Sequence, residues 1–65
     1  MKKYIEKMQI EKKDLEGKIA RAEKLLESNP FDLDETGRKL LESQIRYMKG
    51  YLDFLDQRIH YEMGE

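Results

Sequence analysis

Apolar side chains recur every three or four residues along most of this 65-residue chain, the spacing of helices that pack side by side. In the second half this series is doubled. The first series, here called the inner seam, is aliphatic: Leu41, Ile45, Met48, Leu52, Leu55 and Ile59. The second, the outer seam, is displaced by one position and largely aromatic: Leu33, Gly37, Leu40, Gln44, Tyr47, Tyr51, Phe54, Arg58 and Tyr61. Because one partner needs only one seam, two seams indicate two partners, or one partner and a ligand.

The first half predicts a helix over about residues 2–28. Its seam contains one charged residue: Met1, Ile5, Met8, Lys12, Leu15, Ile19, Ala22 and Leu26. Pro30 cannot continue this helix, which predicts a turn at 29–33 and a second helix over about 34–62. Asp32 with Glu35 forms a capping-box pattern, and Asp34 is the alternative N-cap.

A short connection between two amphipathic helices predicts an all-α fold, an antiparallel, coiled-coil-like hairpin that forms one domain over residues 1–65. Pairing outward from the turn sets residues whose numbers sum to about 62 side by side. This register places Tyr4 near Arg58, and Lys12 near Met48 to Tyr51.

The small size of the chain predicts self-association. A domain of this length buries only about 60% of the surface that its unfolded chain exposes. The sequence has no cysteine and one histidine, so neither a disulfide nor a zinc site is expected to stabilise it. Oligomerisation remains as the available means of stabilisation. We therefore expect the hairpin to assemble into a homo-oligomeric helical bundle.

Composition and motifs argue against several functional classes. The net charge is −1, whereas duplex nucleic acid is bound by an excess of Lys and Arg. No apolar run approaches the roughly 18 residues of a membrane span. The sequence has no phosphate-binding glycine loop, nucleophile motif or metal motif, so we expect no enzyme, metal or cofactor. These features are typical of a cytoplasmic protein.

Two sets of residues permit both a structural and a ligand-binding interpretation. Lys12 at a seam position either fixes register and orientation or binds an anion beside Tyr51. The outer-seam aromatics are either an interface or a stacking surface for bases. In the second case Tyr47 and Tyr51 stack, Gln44 hydrogen-bonds a base edge, and Arg58 contacts phosphate. Asp53 and Asp56 are expected on a solvated face.

Two segments resemble a family of small phage proteins that are related to a crAss-like phage protein. One is Glu11-Lys12-Lys13-Asp14-Leu15. The other is Leu40-Leu41-x-x-Gln44-x-x-x-Met48-x-x-Tyr51-x-x-x-Leu55-x-x-Arg58-Ile59. Gln44, Met48, Tyr51 and Arg58 are its most specific positions. The resemblance implies a phage gene expressed in a bacterial host.

Small helical phage proteins include oligomeric sponges that bind nucleotide messengers of the CBASS, Pycsar or Thoeris defences. By this likeness we expect a non-enzymatic anti-defence protein that sequesters a cyclic oligonucleotide or another nucleotide messenger. The ligand-binding residues predicted are Lys12, Gln44, Tyr47, Met48, Tyr51 and Arg58. The alternative is a structural hairpin that binds a host or phage protein and no small molecule.

Overall fold

The computed structural model describes residues 3–28 and 33–64, so the predicted turn lies largely outside the described residues. Two helices account for nearly all of this part: α1, Lys3–Ser28, and α2, Glu35–Glu62. They pack antiparallel in a rod with extents of 46 × 15 × 14 Å. This confirms an all-α antiparallel hairpin. Its assembly into a bundle remains a prediction.

Asp34 begins α2 as its N-cap. Its backbone is extended, with φ −76° and ψ 178°, and its Oδ1 accepts a hydrogen bond of 2.7 Å from the Gly37 N–H. This bond satisfies one of the backbone donors that a helix leaves without a partner. The alternative cap, Asp32, lies outside the described residues. At the other end Met63 is the C-cap, and Gly64 follows with φ 76°, a conformation that favours glycine.

The core lies between the two seams that face each other. Among the described residues six hydrophobic side chains are buried: Ile5, Met8, Ile19, Ile45, Leu55 and Ile59. Four of them form one cluster at the end of the rod away from the turn: Ile5, Met8, Leu55 and Ile59. The other inner-seam side chains, Leu41, Met48 and Leu52, are half-buried. The inner seam therefore packs against α1, as the sequence predicts.

The predicted register, in which the numbers of facing residues sum to about 62, is met by the Tyr51–Glu11 hydrogen bond, whereas two other contacts reach further towards the C-terminal end of α2. The Tyr4 hydroxyl donates to Glu62 Oε2 at 2.6 Å, one turn beyond the position expected. Lys12 Nζ contacts Asp56 Oδ1 at 2.6 Å, five residues beyond Tyr51. Lys12 also shares a shallow depression with Lys49, so it lies near the predicted segment while its ion-pair partner lies further along α2. The register followed from an assumed symmetric turn, whereas packing of the two seams determines how far the helices slide.

One edge of the hairpin, here the charged edge, is joined by ion pairs. Lys12 reaches Asp56 at 2.6 Å, and Lys49 Nζ reaches Glu23 Oε2 at 2.8 Å. Lys12 and Glu23 are eleven residues apart on α1, and Lys49 and Asp56 are seven apart on α2. Three turns and two turns of helix separate them, so both pairs lie on one side. His60 Nδ1 is 3.7 Å from Asp56 Oδ2.

The opposite edge, here the aromatic edge, carries the outer seam and is joined by hydrogen bonds from tyrosine. The Tyr51 hydroxyl donates to Glu11 Oε1 at 2.6 Å, and Tyr4 donates to Glu62 as above. Most outer-seam side chains remain exposed: Leu40 67%, Tyr47 74%, Tyr51 45%, Phe54 55% and Tyr61 81%. The inner seam thus closes the hairpin, and within the described residues most side chains of the outer seam stay open to solvent. Neither described helix is apolar over enough of its length to cross a membrane.

Candidate ligand-binding groove

An open groove of about 480 Å³ runs along the aromatic edge between α1 and α2. Its lining residues are Leu15, Leu40, Ser43, Gln44, Tyr47, Met48 and Tyr51. All but Leu15 come from α2, where their spacing of three and four residues keeps them on one side of the helix. The size falls within the range of small-molecule sites, which are mostly apolar with a few polar groups. Here those groups are the Gln44 amide and the Ser43 hydroxyl.

Tyr51 is held at one end of this groove by Glu11. The hydrogen bond to the Glu11 carboxylate raises the pKa of the Tyr51 phenol above its ordinary value, with a smaller contribution from burial. The phenol is therefore neutral at physiological pH, and its donor is occupied. The ring, not the hydroxyl, is the part of Tyr51 that a ligand in the groove contacts.

Arg58 lies on the same edge, beyond the groove. Its charge acts on Tyr51, where it opposes the rise in the phenol pKa. Seven residues separate Arg58 from Tyr51, which places it about 10 Å further along α2. No Lys or Arg is among the residues that line the groove. The groove of a single chain therefore offers apolar, aromatic and amide surface, with its cation two turns away.

Lys12 belongs to the charged edge and is not brought together with the other predicted ligand residues. Its neighbour Glu11 contacts Tyr51, but successive residues of a helix point about 100° apart, so Lys12 faces Asp56 instead. The hydrogen bond between them raises the pKa of Lys12 and lowers that of Asp56. This contact supports the register role of Lys12. Asp56, expected on a solvated face, keeps 37% of its side chain exposed and in addition pairs with Lys12.

The surroundings of Lys12 disfavour an anion. A shallow depression there is lined by Lys12, Glu16, Lys49, Leu52, Asp53 and Asp56. Its three carboxylates outnumber its two ammonium groups, and the closest carboxylate already pairs with Lys12. An incoming phosphate would have to displace Asp56 and meet the repulsion of the other two acids.

The sequence reasoning identified four of the seven lining residues, Gln44, Tyr47, Met48 and Tyr51, and its outer seam includes Leu40. It missed Leu15, Ser43 and the supporting carboxylate Glu11. Leu15 was assigned to the core seam of α1, and its half-burial agrees with a position at the border of core and groove. The predicted register already sets Glu11 opposite Tyr51, because their numbers sum to 62, so Glu11 could have been found as the acceptor for the tyrosine hydroxyl.

This site defines a class of protein: a small α-helical hairpin with an open aromatic groove. Within the described residues there is no group of three or more His, Asp or Glu side chains that could hold a metal ion. The polar groups of the groove are an amide, a hydroxyl and a phenol that is already hydrogen-bonded. Such an arrangement is suited to reversible binding.

Residues 2–61 match the family model described as Sequestin, so the chain belongs to the Sequestin family. The family name denotes sequestration and not catalysis. Comparison with curated proteins and with solved structures found no significant match. Family membership places the hairpin among sequestering proteins. A relation to crAss-like phage proteins is not shown by this match and stays a prediction.

Proposed function

We propose that this protein is a non-enzymatic sponge that binds a nucleotide immune signal and withholds it from its effector. The observation that carries the proposal is the groove of about 480 Å³ with two tyrosine rings and one amide. Membership of the Sequestin family supports sequestration as the activity. The nucleotide nature of the ligand and the phage origin of the protein belong to the proposal.

The aromatic part of the groove suits the base. Stacking of a base on an aromatic ring contributes about 1–3 kcal/mol and tolerates any base. Tyr47 is 74% exposed and Tyr51 is 45% exposed, so both rings are accessible. Met48 and Leu15 form the apolar floor, where a polarizable thioether contacts aromatic rings favourably.

The polar groups suit the rest of a nucleotide. Gln44 carries both a donor and an acceptor and can pair with the edge of a base. The Glu11 carboxylate beside Tyr51 repels phosphate at that end of the groove. Arg58, whose planar guanidinium binds phosphate with two parallel hydrogen bonds, is the proposed phosphate contact on this edge. Lys12 has no role in this arrangement because its contacts lie on the charged edge.

Self-association is part of the proposal. The outer seam is exposed along the groove at Leu40, Tyr47 and Tyr51, and beyond it at Phe54 and Tyr61. The core contains six buried side chains among the described residues. A homo-oligomer would cover apolar surface that one hairpin leaves in water, and it would enclose the open groove.

A thermal-shift and calorimetry panel tests the proposal. The panel contains cyclic dinucleotides, cyclic trinucleotides and ADP-ribose-type messengers, with ATP as a common nucleotide for comparison. A ligand that binds only the folded protein stabilises it by about 2.7 kcal/mol at a hundredfold excess over its dissociation constant. No shift with any messenger, at a concentration where the protein is oligomeric, would contradict the sponge.

Two tyrosine variants distinguish a ligand contact from general loss of aromatic surface. Tyr51→Ala removes a ring that lines the groove, whereas Tyr61→Ala removes an 81% exposed ring that does not. At protein concentrations where both variants are oligomeric, we expect the first to weaken nucleotide binding at least tenfold and the second to leave it near wild type. Circular dichroism of both variants checks that the helices remain.

The second candidate is a protein-binding hairpin, favoured by the continuous exposure of Leu40, Tyr47, Phe54 and Tyr61. In that case the outer seam packs against a helix of the partner protein, and no small molecule binds. Tyr51→Ala and Tyr61→Ala would then have similar effects on partner capture. The nucleotide panel would produce no shift.

A further inference from the structure

We propose that a second copy of this chain packs antiparallel on the outer seam of α2 and supplies its Arg58 to the groove. The pairing of two copies stands on the geometry of the seam alone. The use of Arg58 by the groove rests on the nucleotide-binding function proposed above. Each groove would then be completed by the partner subunit.

The exposed area is of the size that a stable interface requires. A fully exposed aromatic side chain presents about 150–250 Å². Tyr47, Tyr51, Phe54 and Tyr61 are 74%, 45%, 55% and 81% exposed, which amounts to roughly 400–600 Å² of aromatic surface. A standard interface buries about 800 Å² on each partner, and Leu40, which is 67% exposed, adds to the aromatic surface.

The spacing of the seam favours a copy of itself as the occupant. Steps of four and three alternate without a break from Leu33 to Tyr61. In an antiparallel pair of α2 helices, two residues face each other when their numbers add up to a constant that defines the register. When this constant is 98, every seam residue from Gly37 to Tyr61 faces another seam residue. A symmetric dimer uses one patch on both subunits. The outer seam is complementary to itself in this sense.

Length selects this register over its neighbours. With a sum of 98, residues 36–62 of one α2 run beside 62–36 of the other, which uses all of the helix except Glu35. Registers one heptad away, with sums of 91 and 105, also match seam to seam. Each of them leaves about two turns of α2 unpaired, so each buries less of the aromatic surface.

Charge selects the antiparallel direction. In a parallel pair Arg58 would lie beside Arg58 of the partner subunit, and the helix dipoles would be aligned. In the antiparallel pair the two guanidinium groups are about 27 Å apart, at 1.5 Å per residue. Each Arg58 then lies opposite Leu40 of the other copy. Ser43 and Gln44, about one turn from Leu40, carry no charge.

This register completes the groove. Leu40 lines the end of the groove remote from Glu11, so Arg58 of the partner subunit would lie over that end. The groove of one chain lacks a cation and has a carboxylate at its Tyr51 end. The partner's Arg58 would supply the phosphate contact at the opposite end, away from the repulsion of Glu11.

Cysteine cross-linking tests the pairing without any ligand, because the chain has no native cysteine. Two single-cysteine variants, one of them carrying a size tag, are mixed and oxidised. Two pairs of variants report the proposed register: Leu40→Cys with Arg58→Cys, and Tyr47→Cys with Tyr51→Cys. Gln44→Cys with Tyr47→Cys reports the sum of 91, and Tyr51→Cys with Phe54→Cys reports 105. Disulfides form only between Cβ atoms about 3.5–4.5 Å apart.

Arg46→Cys with Asp53→Cys is the matched control. These two positions have nearly the same axial offset, but they lie on the solvent side of α2, away from both seams. Cross-links at the two proposed pairs, with the control unlinked, support the inference. Preferential cross-links at either other register would overturn the placement of Arg58. No cross-link at any pair, with a solution mass near 7.9 kDa, would overturn the pairing altogether.

Complementation then tests the shared site with the cyclic dinucleotide cyclic di-AMP as the probe. Arg58→Gln is mixed with Gln44→Ala, so that only a mixed pair has one intact groove facing an intact arginine. We expect each variant alone to bind weakly and the mixture to recover about a quarter of the wild-type sites, from random symmetric pairing. No recovery, with wild-type binding intact, would contradict Arg58 acting across the interface. If wild-type protein does not bind the probe while the cysteine variants still cross-link, the nucleotide proposal is contradicted and the pairing stands.

Discussion

The two edges of this hairpin join the same helices by different chemistry. The charged edge has two ion pairs, Lys12 with Asp56 and Lys49 with Glu23. The aromatic edge has two hydrogen bonds from tyrosine to carboxylate, Tyr51 with Glu11 and Tyr4 with Glu62. On each edge the two contacts are separated by two turns on one helix and by three turns on the other. Each edge therefore restrains the sliding of α1 against α2.

The difference lies in what each edge leaves exposed. On the charged edge lysines and carboxylates neutralise each other and remain hydrated. On the aromatic edge the hydroxyls are engaged, and the surface that remains is largely ring and aliphatic carbon. Exposed apolar patches of several hundred Å² usually mark binding sites. One edge therefore fixes the register of the hairpin, while the other also has surface available for a ligand or a partner.

Replacing one leucine in the core and one on the aromatic edge gives the largest contrast. Leu55 is 2% exposed and Leu40 is 67% exposed. We expect Leu55→Ala to lower the free energy of unfolding by about 2–5 kcal/mol through lost burial and a cavity. In the monomer Leu40→Ala should change it by less than about 0.5 kcal/mol.

Urea titrations followed by circular dichroism, at several protein concentrations, measure both variants. A cost for Leu40→Ala that grows with protein concentration would show that the aromatic edge is covered in an oligomer. Equal and concentration-independent costs for the two variants would contradict the assignment of Leu40 to the surface.

The fold was predictable because the periodicity is strong. The inner seam and the α1 seam each repeat with steps of four and three over most of a helix, and few structures other than a helical hairpin bury both. Asp34 was identified as one of two candidate caps because a side-chain acceptor just before a helix has a specific role. The same helical spacing separates the outer seam from the inner seam, and this predicted that the outer seam lies outside the core of the hairpin.

The ion-pair partner of Lys12 was not predictable from an approximate register, and the interpretation of Lys12 depended on that partner. Seams with steps of four and three residues still match when one helix is displaced along the other by a turn. The spacing alone therefore does not select one axial displacement. With Lys12 assigned to residues 48–51, it was placed beside Tyr51 and appeared able to bind an anion. In the structure its partner is Asp56, and the two residues lie across the helix interface from the groove. A lysine in a seam should therefore first be tested against every carboxylate on the facing helix.

Two helical glycines differ in the space around them. A Cβ at Gly50 would meet nothing within 4 Å, whereas a Cβ at Gly17 would lie 3.2 Å from Arg21 Nη1. Because glycine costs about 0.5–1 kcal/mol in a helix interior, we expect Gly50→Ala to stabilise the hairpin by about that amount. Gly17→Ala should stabilise slightly less, since the Arg21 side chain must move.

Thermal unfolding at low and high protein concentration measures the two glycine variants. Stabilisation of Gly50→Ala that disappears as the protein associates would place a partner subunit close to that position. A lower midpoint for Gly50→Ala even in the monomer would contradict the open surroundings of Gly50.

Salt should separate the two edges by a smaller amount. Raising the salt concentration from 0.1 to 1 M shortens the screening length from about 10 Å to about 3 Å. We expect the wild-type midpoint to fall as the ion pairs are screened, and Lys12→Met to reduce this dependence. Tyr51→Phe, which removes a bond with only one charged partner, should keep the wild-type slope. A weaker salt dependence in Tyr51→Phe than in Lys12→Met would contradict the assignment of the salt-sensitive contacts to the charged edge.

The smallest expected effects are those of pH: we expect the charged edge to lose stability at both acid and alkaline pH, and the aromatic edge at alkaline pH alone. The hydrogen bond from Lys12 lowers the pKa of Asp56, so this pair stabilises the fold above the ordinary Asp value of about 3.9 and is lost as pH falls through the lower folded value. The hydrogen bond to Glu11 raises the pKa of Tyr51. That contribution is present below about pH 10 and is lost as pH rises through the higher folded value.

Lys12 behaves like Tyr51 in this respect, because Asp56 raises its pKa as well. Asp56→Asn should therefore flatten the acid loss of stability relative to wild type and also part of the alkaline loss. Tyr51→Phe should change the alkaline side alone. Unfolding midpoints between pH 2 and 12, taken as differences from wild type, measure this. An acid-side change in Tyr51→Phe would mean that Glu11 and Tyr51 contribute through another contact, and the two edges would not be independent.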